Sequence, residues 1–181
     1  MRTFAQRGAI LPLLLLLAVA AGASPASAAT VCSSADVPIA QASTVALANA
    51  ALCLVNQERT SRGLAPLKVN RRLAKAATAH TRDMVAHNYF AHESLSGTDF
   101  AARIRKAGYR APTLGEDLAW GSGLLGTPRA IVKGWMESPG HRANILYPKF
   151  REAGMGVAIG DPGAGEQGAT YTLDFGSGPR K

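Results

Sequence analysis

The chain has 181 residues, with 20 Lys and Arg against 12 Asp and Glu, a formal net charge of +8. That length carries one domain with a real core. The positive balance comes without a basic run, zinc-finger spacing or an aromatic-studded sheet motif, so it gives no support to nucleic-acid binding; it reads first as a solvated basic surface, and as a partner it suits anionic lipid or acidic envelope polymer.

Residues 1–28 read as a signal peptide. Arg2 and Arg7 form a positive start, Ile10 to Ala21 an apolar core, and Ala26-Ser27-Ala28 a small-residue cleavage site. The core is short for a membrane span, which needs roughly 18 apolar residues or more. The uncharged stretch from Gly8 to Thr30 keeps an uncleaved anchor as the alternative. Ala29-Thr30-Val31 before Cys32 lacks the small residue expected beside a lipidated cysteine. The expected destination is outside the cell, free or associated with the wall. Cys32 and Cys53 are the two cysteines of the chain. In an oxidising compartment they have a single pairing available, with two free thiols as the alternative.

Residues 29–42 are small and polar and read as a flexible lead-in to a domain spanning 43–177. A helix is expected from Ser43 or Thr44 to about Arg62, with Val45, Ala48, Leu52 and Val55 inward and Gly63 as its stop. After a turn at Pro66, Asn70 caps a second helix on which Leu73, Ala76, Ala77, His80 and Met84 share a face. His80 then reads as a core histidine with one hydrogen bond, and His87, one turn beyond Met84, admits the same reading. Ser96 to Thr98 open a third helix that carries Phe100, Ile104 and Ala107 inward and stops at Gly108. Tyr109 to Gly121 reads as extended or irregular.

Thr127-Pro128 signals another helix start, with Ile131 and Trp135 on one face. Ser138-Pro139 repeats the signal and opens a short helix to about Leu146, which places His141 in its first turn, where the dipole favours a neutral ring. Gly154 to Ile159 and Tyr171 to Phe175 alternate with period two, as two antiparallel strands joined by a Gly-rich loop. Asp174 alternates with apolar residues, which predicts a solvent-facing side chain. Helices first and a hairpin last make an α+β domain with layered packing.

Phe90-Ala91-His92, Gly115-Glu116-Asp117, and Trp135 followed by Gly140-His141-Arg142-Ala143-Asn144-Ile145-Leu146 stand in this order, after a helix containing Leu54-Val55-Asn56-Gln57-Glu58-Arg59. As an ordered set they resemble the CAP superfamily: cysteine-rich secretory proteins, antigen 5, plant pathogenesis-related class 1 proteins and many bacterial secreted members with an SCP domain. The likeness covers about Leu52 to Gly176. It implies a three-layer α-β-α sandwich with a small antiparallel sheet, and a wide cleft in which two histidines and two glutamates face each other. By motif, His92 and His141 are the histidines and Glu116 the first glutamate. Where many eukaryotic relatives carry the second glutamate this chain has Ser138. Glu137 beside it points about 100° away on a helix, and Ser138 reads as an N-cap.

The resemblance implies that His92 and His141 can hold a divalent cation such as zinc. Glu116 then serves as a third ligand, or stands behind a histidine and fixes its tautomer. A hydrogen-bonded polar network without metal or turnover is the plain alternative. Three functions follow: a monomeric binding module whose relatives bind sterols, fatty acids or other lipids; a metal-dependent hydrolase of peptide or envelope polymer using His92, Glu116 and His141; or a protein that docks on anionic wall polymers. Neither a Gly-x-Ser-x-Gly elbow nor a phosphate-loop or dinucleotide fingerprint is present.

Overall fold

The computed structural model describes residues 31–163 and 167–178, so the signal peptide expected at 1–28 lies outside the described residues. Helix α1 covers Thr44–Thr60, started by the Ser43 side chain accepting from the Ala46 N–H. Strand β1 is only Lys68–Val69. Asn70 then accepts from Arg72 and Leu73 to start α2, Arg71–His87, and Asn88 in the left-handed region ends it. Helix α3 covers Phe100–Lys106 behind the Asp99 cap, and β2 follows at Leu114–Ser122. Thr127 caps α4, Pro128–Glu137, and α5 covers Pro139–Ile145. Strands β3, Glu152–Ile159, and β4, Gly168–Gly176, close the chain.

The four strands form one sheet in the order β1-β3-β4-β2. Strand β4 runs antiparallel to both neighbours, while β1 pairs parallel with β3. Thus the expected antiparallel hairpin is there, and the sheet gains a parallel stub at one edge and a full strand at the other.

Helices α1, α4 and α5 cover one face, where Leu47, Val55, Ile131, Trp135 and Ile145 share a core with Tyr171, Leu173 and Phe175. The opposite face carries α2 and α3, with Leu73, Ala76, Ile104 and Tyr109 between them. This is the α-β-α sandwich that the family resemblance implies. Two glycines set the spacing of the second layer. A Cβ at Gly154 would lie 1.9 Å from Ala74 N, and one at Gly156 2.4 Å from Ala77 C. The backbone of α2 therefore rests almost directly on β3, and any side chain there would push it off.

Cys32 and Cys53 are joined by a disulfide, which ties the N-terminal segment to α1. Ala35 and Ile39 of that segment are buried in the same core. Arg59, in the last turn of α1, is fully buried. Its guanidinium donates to the carbonyls of Ala65, Ile145, Tyr147 and Phe150 at 3.0, 2.6, 3.2 and 3.1 Å. It thereby fixes the end of α5 against α1. Two expectations need correction. Val45 is 67% exposed, because α1 turns Leu47, Ala51 and Val55 to the sheet instead. His87 is exposed and pairs with Asp83 at 3.0 Å, since the last turn of α2 runs past the sheet.

Candidate functional site

Strand β2 is an edge strand, and its consecutive side chains point to opposite faces. Glu116 turns towards α3 and Asp117 towards α5. Each is met by a group from its own layer.

On the first face, His92 sits in the loop after α2. Both its flanks are held: His80 donates through Nε2 to the Ala91 carbonyl at 2.9 Å, and Arg103 donates to the His92 carbonyl at 2.8 Å. The ring itself donates from Nδ1 to Glu116 Oε1 at 2.9 Å. Arg103 Nη2 donates to the other oxygen, Oε2, at 2.7 Å. The Glu116 side chain is 1% exposed, so its charge is kept in the interior by a guanidinium and an imidazole. That bond to Glu116 raises the His92 pKa above the ordinary histidine value, against the partial burial of the ring. His80 has the opposite shift: burial holds it low, as a neutral core histidine with one short bond.

Asp174 pairs across β4 and β2 with Glu116. It is 1% exposed, which overturns the solvent-facing expectation. The reason is that helices cover both faces of β4, so alternation there separates two interiors rather than core from water. Burial, and then the adjacent Glu116, push its carboxyl well above the usual range. The shift favours the protonated form of Asp174, hydrogen-bonded to the neighbouring Glu116 carboxylate.

On the other face, Asn144 of α5 donates to Asp117 Oδ1 at 2.8 Å. Burial pushes the Asp117 carboxyl up to about 7. His141 stands at the third position of α5, one turn before Asn144. Burial, and then the nearby His92, lower its pKa. Trp135 of α4 donates to the Leu118 carbonyl at 3.0 Å and pins β2 from the same side. Among the described residues three buried polar side-chain atoms lack a partner, Asp117 Oδ2, His141 Nδ1 and Asp174 Oδ1, and all belong to this site.

Ser138 does stand at the N-cap of α5, but its side chain makes no capping hydrogen bond. Glu137 faces solvent beside Lys133, 3.8 Å away, and does not enter the site. Among the described residues no set of three or more His, Cys, Asp and Glu side chains converges to hold a metal ion. Both Glu116 oxygens are occupied by protein donors, so the carboxylate stands behind His92 rather than free for a cation. Sequence reasoning missed the parts played by Arg103, Asp117 and Asn144. The last two lie inside the quoted motifs, while Arg103 stands in a basic stretch that reads as a solvated face.

Residues 52–175 match the sequence profile of the cysteine-rich secretory protein family, CAP. The chain belongs to the CAP family. This CAP domain is 38% identical over 122 residues to the uncharacterized protein YkwD of Bacillus subtilis (strain 168), covering 67% of this chain and 44% of YkwD. It is 33% identical over 106 residues to the uncharacterized membrane protein YlbC of the same organism, covering 59% of this chain and 30% of YlbC. The chain thus spans less than half the length of the curated relatives it matches. Among solved structures, an extracellular SCP-domain protein from Bacillus anthracis str. Ames is 28% identical, with a TM-score of 0.60 over 72% of this chain and 39% of that one. An outer surface protein from Borrelia burgdorferi, 21% identical with a TM-score of 0.61, covers 72% of this chain and 90% of its own and shares the fold. No helix among the described residues of this CAP domain is long and apolar enough to cross a membrane.

Proposed function

We propose that this CAP domain is exported and acts outside the cell, or in its envelope, as a binding module whose ligand site is the cleft beside His92 and His141. One observation carries the reading. Glu116 accepts from His92 Nδ1–H, so the neutral ring, 57% exposed, offers Nε2 as its lone-pair nitrogen. Export is supported by the Cys32–Cys53 bridge and by the extracellular Bacillus anthracis relative. Residues 1–28 serve as the removable leader and 43–177 as the domain.

His92 and His141 would hold a divalent cation such as zinc, with Glu116 orienting His92 from behind. A cation held there supplies a positive centre for an anionic or carbonyl-bearing ligand. A metal-dependent hydrolase has less support, because both oxygens of Glu116, the carboxylate that would serve as base, are engaged by His92 and Arg103. The test is calorimetric titration of zinc into the mature protein and into a His92→Ala/His141→Ala variant. Binding that weakens at least about tenfold in the variant supports the cation site. Equal binding by both proteins, or none by either, refutes it. A lipid that co-purifies and is seen by native mass spectrometry would make the ligand a lipid instead.

A further inference from the structure

A cavity lies on the α2/α3 side of the sheet, with Arg103 in its lining. Its volume is about 450 Å³, and α2, α3 and the 94–98 loop bound it. That size is in the range of small-molecule sites. Lys75 reaches it from α2 and Lys106 from α3. Neither ammonium has an ion-pair partner among the described residues. The carboxylate on the lining, Asp83, is already engaged by the Tyr89 hydroxyl and by His87 Nδ1. Arg103 is committed to Glu116 and to the carbonyls of His92 and Thr98. Ser96 and Thr98 at the rim share one hydrogen bond of 2.9 Å, which leaves one hydroxyl proton of the pair to donate elsewhere. Ala76, Ala79 and Ala107 supply the apolar part of the wall, and His80 and Ser94 complete it.

We infer that this cavity binds a phosphate group carried on a small organic body. Two ammonium groups and a rim hydroxyl line the same cavity, whose carboxylate Asp83 is already hydrogen-bonded, and this donor set suits a compact tetrahedral dianion. A carboxylate ligand would favour the planar fork of an arginine, and the arginine on this lining already serves Glu116. The alanines face the organic part. The site stands apart from the His92/His141 reading and survives its failure.

The experiment uses the mature protein with glycerol 3-phosphate in calorimetry, and with phosphatidylcholine vesicles with and without phosphatidic acid in sedimentation. Sodium chloride at matched ionic strength controls for screening. Both lysines are exposed, so Lys75→Ala/Lys106→Ala keeps the fold; circular dichroism checks this. This variant loses at least about tenfold in affinity, the size expected for removing charged hydrogen-bond donors. A Lys133→Ala/Lys149→Ala variant, with the same charge removed elsewhere, stays within about twofold. Lysine-dependent binding of the soluble ester identifies a free phosphoester as the source, and lysine-dependent binding of phosphatidic acid vesicles alone identifies a lipid headgroup; either supports the site. Equal losses in the two double variants overturn it, as does failure of the parent protein to bind either probe.

Discussion

Asp117 tests how the edge of the sheet is built. Its side chain is fully buried, one oxygen accepts from Asn144 at 2.8 Å, and the other has no partner. Burial is the main force that raises its carboxyl from 3.8 to about 7; the Asn144 bond and His92 oppose the rise, and Glu116 adds to it. Between about pH 4 and 7 the folded chain thus holds a proton that the unfolded chain has lost. Stability from this group therefore falls as pH rises through that window. Asp117→Asn keeps the acceptor for Asn144 and has the shape of the protonated acid, but cannot ionise. Relative to the parent, the variant gains stability between about pH 5 and pH 8 by on the order of 2–3 kcal/mol, from the 1.36 kcal/mol that each pKa unit carries. For a domain of this size that is a relative rise in Tm of about 5–10 °C. Thermal unfolding followed by circular dichroism at the two pH values measures it, and groups common to both proteins largely cancel. A gap in Tm that is the same at both pH values, or that moves against the variant at pH 8, refutes the buried-acid argument.

Arg59→Met leaves the carbonyls of Ile145 and Phe150 buried without their donor, and urea unfolding should show a loss on the order of 3–5 kcal/mol. A loss below about 1 kcal/mol would mean that the guanidinium does not fasten α5. Replacing both cysteines by serine frees a closed segment of sequence separation 21 and lowers stability by about 3 kcal/mol, checked by the same unfolding curve with the oxidised parent as reference. Glu116→Gln removes the main cause of the raised His92 pKa, so the ring titrates lower in an NMR pH series; an unmoved midpoint would show that the carboxylate does not govern it. The sign has a consequence for the parent too: stability from the His92–Glu116 pair is full below the ordinary histidine pKa and is lost as pH rises through the folded value.

The helix starts were legible because a cap is a local event. Ser43, Asn70 and Thr127 each accept from an N–H two or three residues on, and the sequence carries donor and acceptor together. Strand β2 was not, since residues 115–118 are buried in succession and two of them are acids; no alternation survives when both faces of a strand are covered. The same covering misled the reading of Asp174, where the period was right and the exposure wrong. The histidines and Glu116 came through the ordered resemblance rather than through any one local pattern. Arg103 carried no local signal at all, because its value lies in where α3 is laid against β2, and that is decided by core contacts of Ile104 rather than by neighbours in the chain.

The two histidines of the cleft come from opposite layers, and the layers treat them differently. His92, on the α2/α3 side, has a carboxylate at Nδ1 and a pKa above the ordinary value. His141, on the α5 side, has a buried Nδ1 that no carboxylate among the described residues reaches, and a pKa below it. The serine at position 138 fits this asymmetry, since Glu137 is turned to solvent and supplies no second acid. The opposite shifts favour a protonated His92 beside a neutral His141. A divalent cation needs both rings neutral, so its affinity rises as pH climbs past the His92 value. An anionic ligand instead gains from the charge on His92 and weakens over the same interval. The direction in which binding changes with pH therefore distinguishes a cationic from an anionic ligand at these two histidines.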